Sequence, residues 1–185
     1  MKHLLYCGAR YGETLGVLAG IYDFDRSWTV HLFEPNPYFD ENIALAEAEK
    51  FLLTGVFHRQ AVWIEDGPLE FRLQAGHGNK GRGSAMATLH STNHRLQGGE
   101  TVTVQAMDFS RFVGDLDSEQ IVVRMDIEGA EFPVLRKMLK ERTITRVRNI
   151  HIEWHHRHMT GEDRHSVEVL RKEIRRVSVN VFDLA

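Results

Sequence analysis

Short runs of β-forming residues alternate with helix-patterned stretches along most of the chain, and this alternation restricts the fold more than any single motif. His3-Leu4-Leu5-Tyr6-Cys7 is apolar and runs straight into Gly8, the signature of a buried strand entering a turn. Leu15, Leu18, Ala19 and Tyr22 then recur at helical spacing. A second strand over 28–33 is closed by Glu34-Pro35-Asn36-Pro37, since prolines cannot continue a hydrogen-bonded ladder. The 38–53 stretch, rich in Ala, Glu and Leu, predicts a helix, and 56–64 a third strand. Further strands are expected over 69–73, 101–106, 120–125, 147–154 and 177–182. Helices are expected around Phe132, Leu135 and Met138 and around Val167, Leu170 and Ile174. Such βαβ succession calls for an α/β fold with a mainly parallel sheet, whose functional loops gather beyond the carboxyl ends of the strands.

A chain of 185 residues suits a single domain over 1–185, within which 68–106 reads as an insertion or lid because 74–99 is long and glycine-rich. The net charge of −3 gives no reason to expect a nucleic-acid partner. No run approaches the about 18 apolar residues needed to cross a bilayer, so no membrane association is expected. The lone cysteine, Cys7, excludes an intramolecular disulfide, fits a reducing cytoplasm, and reads as a buried strand residue.

The strand tips rank the candidate sites. Gly8-Ala9-Arg10-Tyr11-Gly12 follows the first strand and opens a helix, where small residues allow close approach of a ligand; it is neither a dinucleotide fingerprint nor a phosphate loop. Glu34, at the end of the second strand, is placed either to accept ribose hydroxyls or to cap the following helix. Asp126 ends another strand, and Glu128 and Glu131 follow at a helix start, where carboxylates either cap the helix or face an acceptor substrate. His151, Glu153 and His155 alternate onto one strand face, with positions roughly 6.6 Å apart along a straight strand. His155 is the first candidate for a general base, and Asp126 and Glu153 complete the catalytic set. A metal held by Asp126, Glu153 and His155 is the alternative, and a plain polar loop the simplest account of the surrounding histidines. Ser84, His90, Ser91, Asn93 and His94 in the glycine-rich stretch offer hydrogen bonds to a hydroxylated acceptor.

Phe33-Glu34-Pro35-Asn36-Pro37, then Gln60-Ala61-Val62, then Asp126-Ile127-Glu128-Gly129-Ala130-Glu131, with a later Ile152-Glu153-Trp154-His155, stand in an order that resembles FkbM-type methyltransferases. The resemblance implies a Rossmann-like class I methyltransferase sheet flanked by helices, with a β-hairpin and long-loop insertion, that binds S-adenosylmethionine. It implies that Gly8, Ala9 and Gly12 contact the methionine portion, Glu34 the ribose, Asn36 the adenosine flank, and Gln60, Ala61 and Val62 the adenine. It also implies methylation of a hydroxyl on a small molecule or saccharide. The chain departs from the family's usual pattern at Tyr6, where Asp is common, at Arg10 (Asn) and at Arg124 (Lys). Arg10 is expected to pair with the cofactor carboxylate. No seventh strand is evident before Ala185, which reads as a shortened C-terminal end through truncation, an atypical sheet, or an edge that pairs with another subunit in a homo-oligomer. A noncatalytic nucleoside-binding or assembly protein of the same fold is the alternative function; a nicotinamide oxidoreductase is disfavoured by the glycine spacing.

Overall fold

A computed structural model describes residues 1–73, 85–87, 101–159 and 161–184. The strands are β1 Lys2–Cys7, β2 Trp28–Phe33, β3 Thr54–His58, β4 Gln60–Trp63, β5 Gly67–Leu73, β6 Ala85–Ala87, β7 Thr101–Asp108, β8 Gln120–Met125, β9 Val147–Ile152 and β10 Asn180–Asp183. The helices are α1 Leu15–Ala19, α2 Glu41–Lys50, α3 Phe109–Asp115, α4 Glu131–Lys140 and α5 Arg164–Arg176. Among the described residues no helix is long and apolar enough to cross a membrane.

Six strands form one parallel sheet in the order β10-β9-β8-β1-β2-β3. The chain winds outward from β1 through β2 and β3, then returns to β8 on β1's other side. This reversal opens a crevice at the carboxyl ends of β1 and β8, where ligands bind in doubly wound sheets. The central strands read as apolar runs because both faces are covered. Leu5, Cys7, Phe33, Val123 and Met125 pack with Phe109, Phe132, Leu135, Leu170 and Ile174 from α3, α4 and α5. Leu4, Tyr6, Val30, Leu32 and Val122 pack with Leu15, Leu18, Ala44 and Ala48 from α1 and α2.

Local chemistry sets the helix boundaries. The helix expected over 38–53 is confined to Glu41–Lys50, because the Asp40 side chain caps it by accepting the Asn42 N–H and the chain turns left-handed at Leu52 (φ 61°). Asp163 and Ser166 form a reciprocal capping box at the start of α5. The short α3, not anticipated from sequence, is capped by Asp108, which accepts the Arg111 N–H.

The strand expected over 56–64 is two strands in two sheets. β3 pairs with β2 only as far as Phe33–His58, after which Pro35 leaves β2 without a continuing ladder. One residue later β4 joins a second sheet of order β4-β7-β5-β6, in which β4 and β7 are parallel and the other pairs antiparallel. Arg59, the residue between, is fastened by its Nη1, which donates to the carbonyls of Asn36 and Phe39 at 2.9 Å each. The expected strands over 69–73 and 101–106 are the antiparallel pair β5–β7, and the expected strand over 147–154 stops at Ile152.

Three buried or half-buried histidines run diagonally across β1, β2 and β3. His3 Nδ1 lies 3.1 Å from His31 Nε2, and His31 Nδ1 lies 3.0 Å from His58 Nε2. Burial, and then the neighbouring imidazoles, push the His31 pKa down to about 4. A depressed histidine favours folding fully above its ordinary value near 6.5 and loses that contribution as pH falls through the folded value. The shift corresponds to about 3 kcal/mol. Thermal denaturation from pH 7 to pH 4.5 should therefore show a falling Tm that flattens in His31→Phe; parallel curves for the two proteins would remove this role.

Candidate functional site

The crevice is built by the tips of β1, β2, β8 and β9. At β1, the chain leaves Cys7 through Gly8, whose φ of +77° is open to glycine and strained for other residues. The amides of Gly8 and Ala9 both donate to the Phe33 carbonyl at 3.0 Å, and the Asp126 amide donates to the Cys7 carbonyl at 3.1 Å. A Cβ at Gly8 would stand 2.0 Å from the Asp126 carbonyl oxygen. The bare Cα thus lets β1 and β8 close on each other, and the space beside it is filled by protein. Ala9 is fully buried and Gly12 is buried in the same turn, so both shape the turn that carries their backbone to the crevice.

Glu34 is buried at the tip of β2. Its Oε2 accepts the Arg10 backbone N–H at 3.0 Å and its Oε1 accepts the Asn36 N–H at 2.9 Å. The acid and the glycine turn therefore share one side of the crevice. Burial pushes the Glu34 pKa up to about 7 against the opposing pull of those two N–H groups and of Arg10 and Arg59. This carboxyl caps no helix, and its fixed oxygens keep acceptor capacity suited to the paired hydroxyls of a ribose. The chemistry of this donor set fits an adenosine-bearing cofactor. Asn36 is buried, with its Oδ1 accepting the Tyr38 N–H at 3.0 Å. Gln60 is half-buried at the start of β4, while Ala61 and Val62 commit their side chains to the cores of the second and first sheets. The exposed Arg10 holds its guanidinium 5.7 Å from the Phe39 ring centre, on the Glu34 side.

Beyond the tips of β8 and β9 the structure gathers Asp126, Glu128, Glu131 and Glu153 around His155. Nε2 of this histidine lies 3.7 Å from a carboxylate oxygen of each of Asp126, Glu128 and Glu153. Glu131, with no solvent exposure, accepts the His155 backbone N–H at 2.7 Å and approaches its Nδ1 at 3.2 Å. The other oxygen of Glu131 accepts the Gly129 N–H at 2.7 Å. Buried in this way, Glu131 positions His155. The loop can present Glu128 to His155 because Glu128 and Gly129 both adopt positive φ, 55° and 108°.

Burial alone depresses His155, but the hydrogen bond and charge of Glu131, joined by Glu128 and Asp126, outweigh it and raise its pKa to about 9. Burial, opposed by His155, raises Glu128, and burial together with Asp126 raises Glu153. The cluster therefore carries a protonated imidazole at neutral pH. Ligand atoms of Asp126, Glu128 and His155 also lie within 4.8 Å of one another, close enough to share a cation, with Glu128 where the sequence suggested Glu153.

His151 stays out of this cluster: its Nε2 lies 2.8 Å from the Tyr22 hydroxyl and its ring stacks on Phe182 at 4.9 Å. Ser84, His90, Ser91, Asn93 and His94 lie outside the described residues. Sequence reasoning missed Arg124 as a site residue. It is buried one strand position before the tip of β8, with Nη2 3.3 Å from Asp126 Oδ2. An arginine inside an otherwise apolar strand was the available signal.

A family model described as Methyltransferase FkbM domain matches residues 7–177. No curated protein and no solved structure matches the chain.

Proposed function

Because the chain belongs to the FkbM methyltransferase family, we propose that it transfers a methyl group from S-adenosylmethionine to a hydroxyl oxygen of a small molecule or saccharide. The observation that carries this reading is the buried Glu34 carboxyl, tied by the Arg10 amide to the turn after β1. Glu34 would accept the ribose hydroxyls, with Asn36, Gln60, Ala61 and Val62 bordering the adenosine. Bound S-adenosylmethionine supplies an electrophilic methyl group on a sulfonium sulfur. The chain contributes orientation, by holding the acceptor at the β8 tip, and a place for the hydroxyl proton.

The proton's destination follows from the cluster's charge. A histidine with a pKa near 9 already holds its proton at pH 7, so it is not the base in that state. Asp126, partly exposed and 3.7 Å from His155, takes the proton instead, and the imidazolium keeps Asp126, Glu128 and Glu153 together around the acceptor.

Calorimetry with S-adenosylhomocysteine and a turnover panel of hydroxyl compounds test the reading together. The wild-type protein should bind the nucleoside and release S-adenosylhomocysteine only when an acceptor is present. Glu34→Gln turns an amide N–H toward backbone donors and should weaken binding about 10- to 100-fold. Unchanged affinity in Glu34→Gln would remove the ribose role, and binding without turnover of any acceptor would favour a noncatalytic nucleoside-binding protein.

A further inference from the structure

Arg124 has more donors than the fold gives it acceptors. Its side chain is 7% exposed, and among the described residues only Nη2 reaches a carboxylate, Asp126 at 3.3 Å. Among the described residues its buried Nε and Nη1 have no hydrogen-bond partner. A buried cation left in this state is costly, and buried unpaired donors in a native site call for a missing acceptor. The neighbours do not supply one. In the sheet register Arg124 stands between Tyr6 on β1 and His151 on β9. Tyr6 offers a ring face, 4.6 Å from the guanidinium, and its hydroxyl is already 2.5 Å from Thr14 Oγ1. Asp126 is shared with His155.

Arg124 also lies where the far end of an adenosine-bearing ligand would arrive. It projects onto the α1 face beneath the turn that begins at Gly8, one residue in from the β8 tip. From β2, which carries Glu34, to β8 is two inter-strand spacings, about 10 Å. An amino-acid arm extending from a ribose held at Glu34 would have to cover that interval.

We infer that Arg124 is the receptor for the carboxylate of the cofactor's methionine portion, with Tyr6 as the platform whose ring packs on the guanidinium without accepting from its donors. The inference rests on the reading of this crevice as a S-adenosylmethionine site. It moves the carboxylate partner from Arg10, on the adenosine side, to a buried arginine on the opposite side of the turn. An anionic group completes the donor set, and the charge-assisted hydrogen bonds give affinity for the amino-acid end independently of the adenosine.

The test compares two ligands that share the adenosine and thioether and differ in the amino-acid end: S-adenosylhomocysteine and 5′-methylthioadenosine. Calorimetry should show Arg124→Gln weakening the first by about 30-fold or more, with affinity for the second unchanged. Retained binding of 5′-methylthioadenosine certifies the fold. Should Arg124→Gln not fold, Arg124→Lys, which keeps the charge without the fork, should show a smaller loss confined to S-adenosylhomocysteine. Equal weakening of both ligands, undiminished S-adenosylhomocysteine binding, or a selective loss in Arg10→Ala instead would overturn the assignment. A wild-type protein that binds neither ligand is a separate result, and brings down the adenosine reading itself.

Discussion

Gly8→Ala is expected to lower the Tm by about 10 °C and to abolish nucleoside binding. Two costs combine. The added Cβ would meet the Asp126 carbonyl oxygen at 2.0 Å and its carbon at 3.1 Å, both main-chain atoms that no rotamer change can move. The residue must also hold a φ of +77°, which costs a side chain roughly 1–2 kcal/mol. Overpacking of this kind adds about 1–3 kcal/mol or more, and 1 kcal/mol moves the Tm of a chain of this size by about 2–4 °C. β1 and β8 would have to separate at their tips, breaking the Asp126-to-Cys7 hydrogen bond on which the crevice is built. Gly161→Ala is the matched control: its φ is +84° and a Cβ there meets nothing within 4 Å. It should cost only the conformational strain, about 1 kcal/mol. Similar Tm losses in the two variants would show that the contact with Asp126 is not the cause.

Glu131→Ala should destabilise the protein by about 3–5 kcal/mol, the usual cost of removing one partner from a buried charged pair. The carboxylate accepts from Gly129 and twice from His155 with no exposure to water, so truncation takes this acceptor from all three donors. It also removes the largest influence raising His155, whose pKa should drop from about 9 toward or below its ordinary value as burial takes over. Because the folded-state pKa is raised, His155 contributes fully to stability below about pH 6.5 and loses that contribution as pH climbs through 9. NMR titration of the His155 ring and Tm values from pH 6 to pH 9.5 measure both effects. A His155 titration that is identical in the variant would exclude Glu131 as its anchor.

The sequence was most legible where burial on both sheet faces forces apolar runs. β1, β2 and β8 announce themselves this way, and the prolines after Phe33 mark the tip of β2 without ambiguity. Periodicity carries no label for which sheet a strand joins, so 56–64 read as one strand although Arg59 divides the segment between two. α3 was invisible because its seven residues are too few to show a helical stripe; the Asp108 cap was its only local signal. At the site, Asp126, Glu153 and His155 were identifiable as strand-end groups. Their convergence stood there as an alternative, a shared metal site, but could not be derived, because on a continued strand Glu153 and His155 stay apart. β9 ends at Ile152, and Glu131 draws His155 back by both its amide and its ring, an effect of a residue 24 positions earlier in the chain. Tyr6 and Arg124 appeared as two separate departures from the family pattern. The sheet register makes them one paired exchange, ring against guanidinium.

Arg59 has a mechanical consequence. With a single residue between β3 and β4, and that residue clamped to the carbonyls of Asn36 and Phe39, the smaller sheet has no slack with which to drift against the larger one. His58, at the near end of this joint, uses its own carbonyl to hold the Glu34 amide at 3.1 Å. A tug on the smaller sheet is therefore delivered to the backbone of Glu34, as along a taut cord.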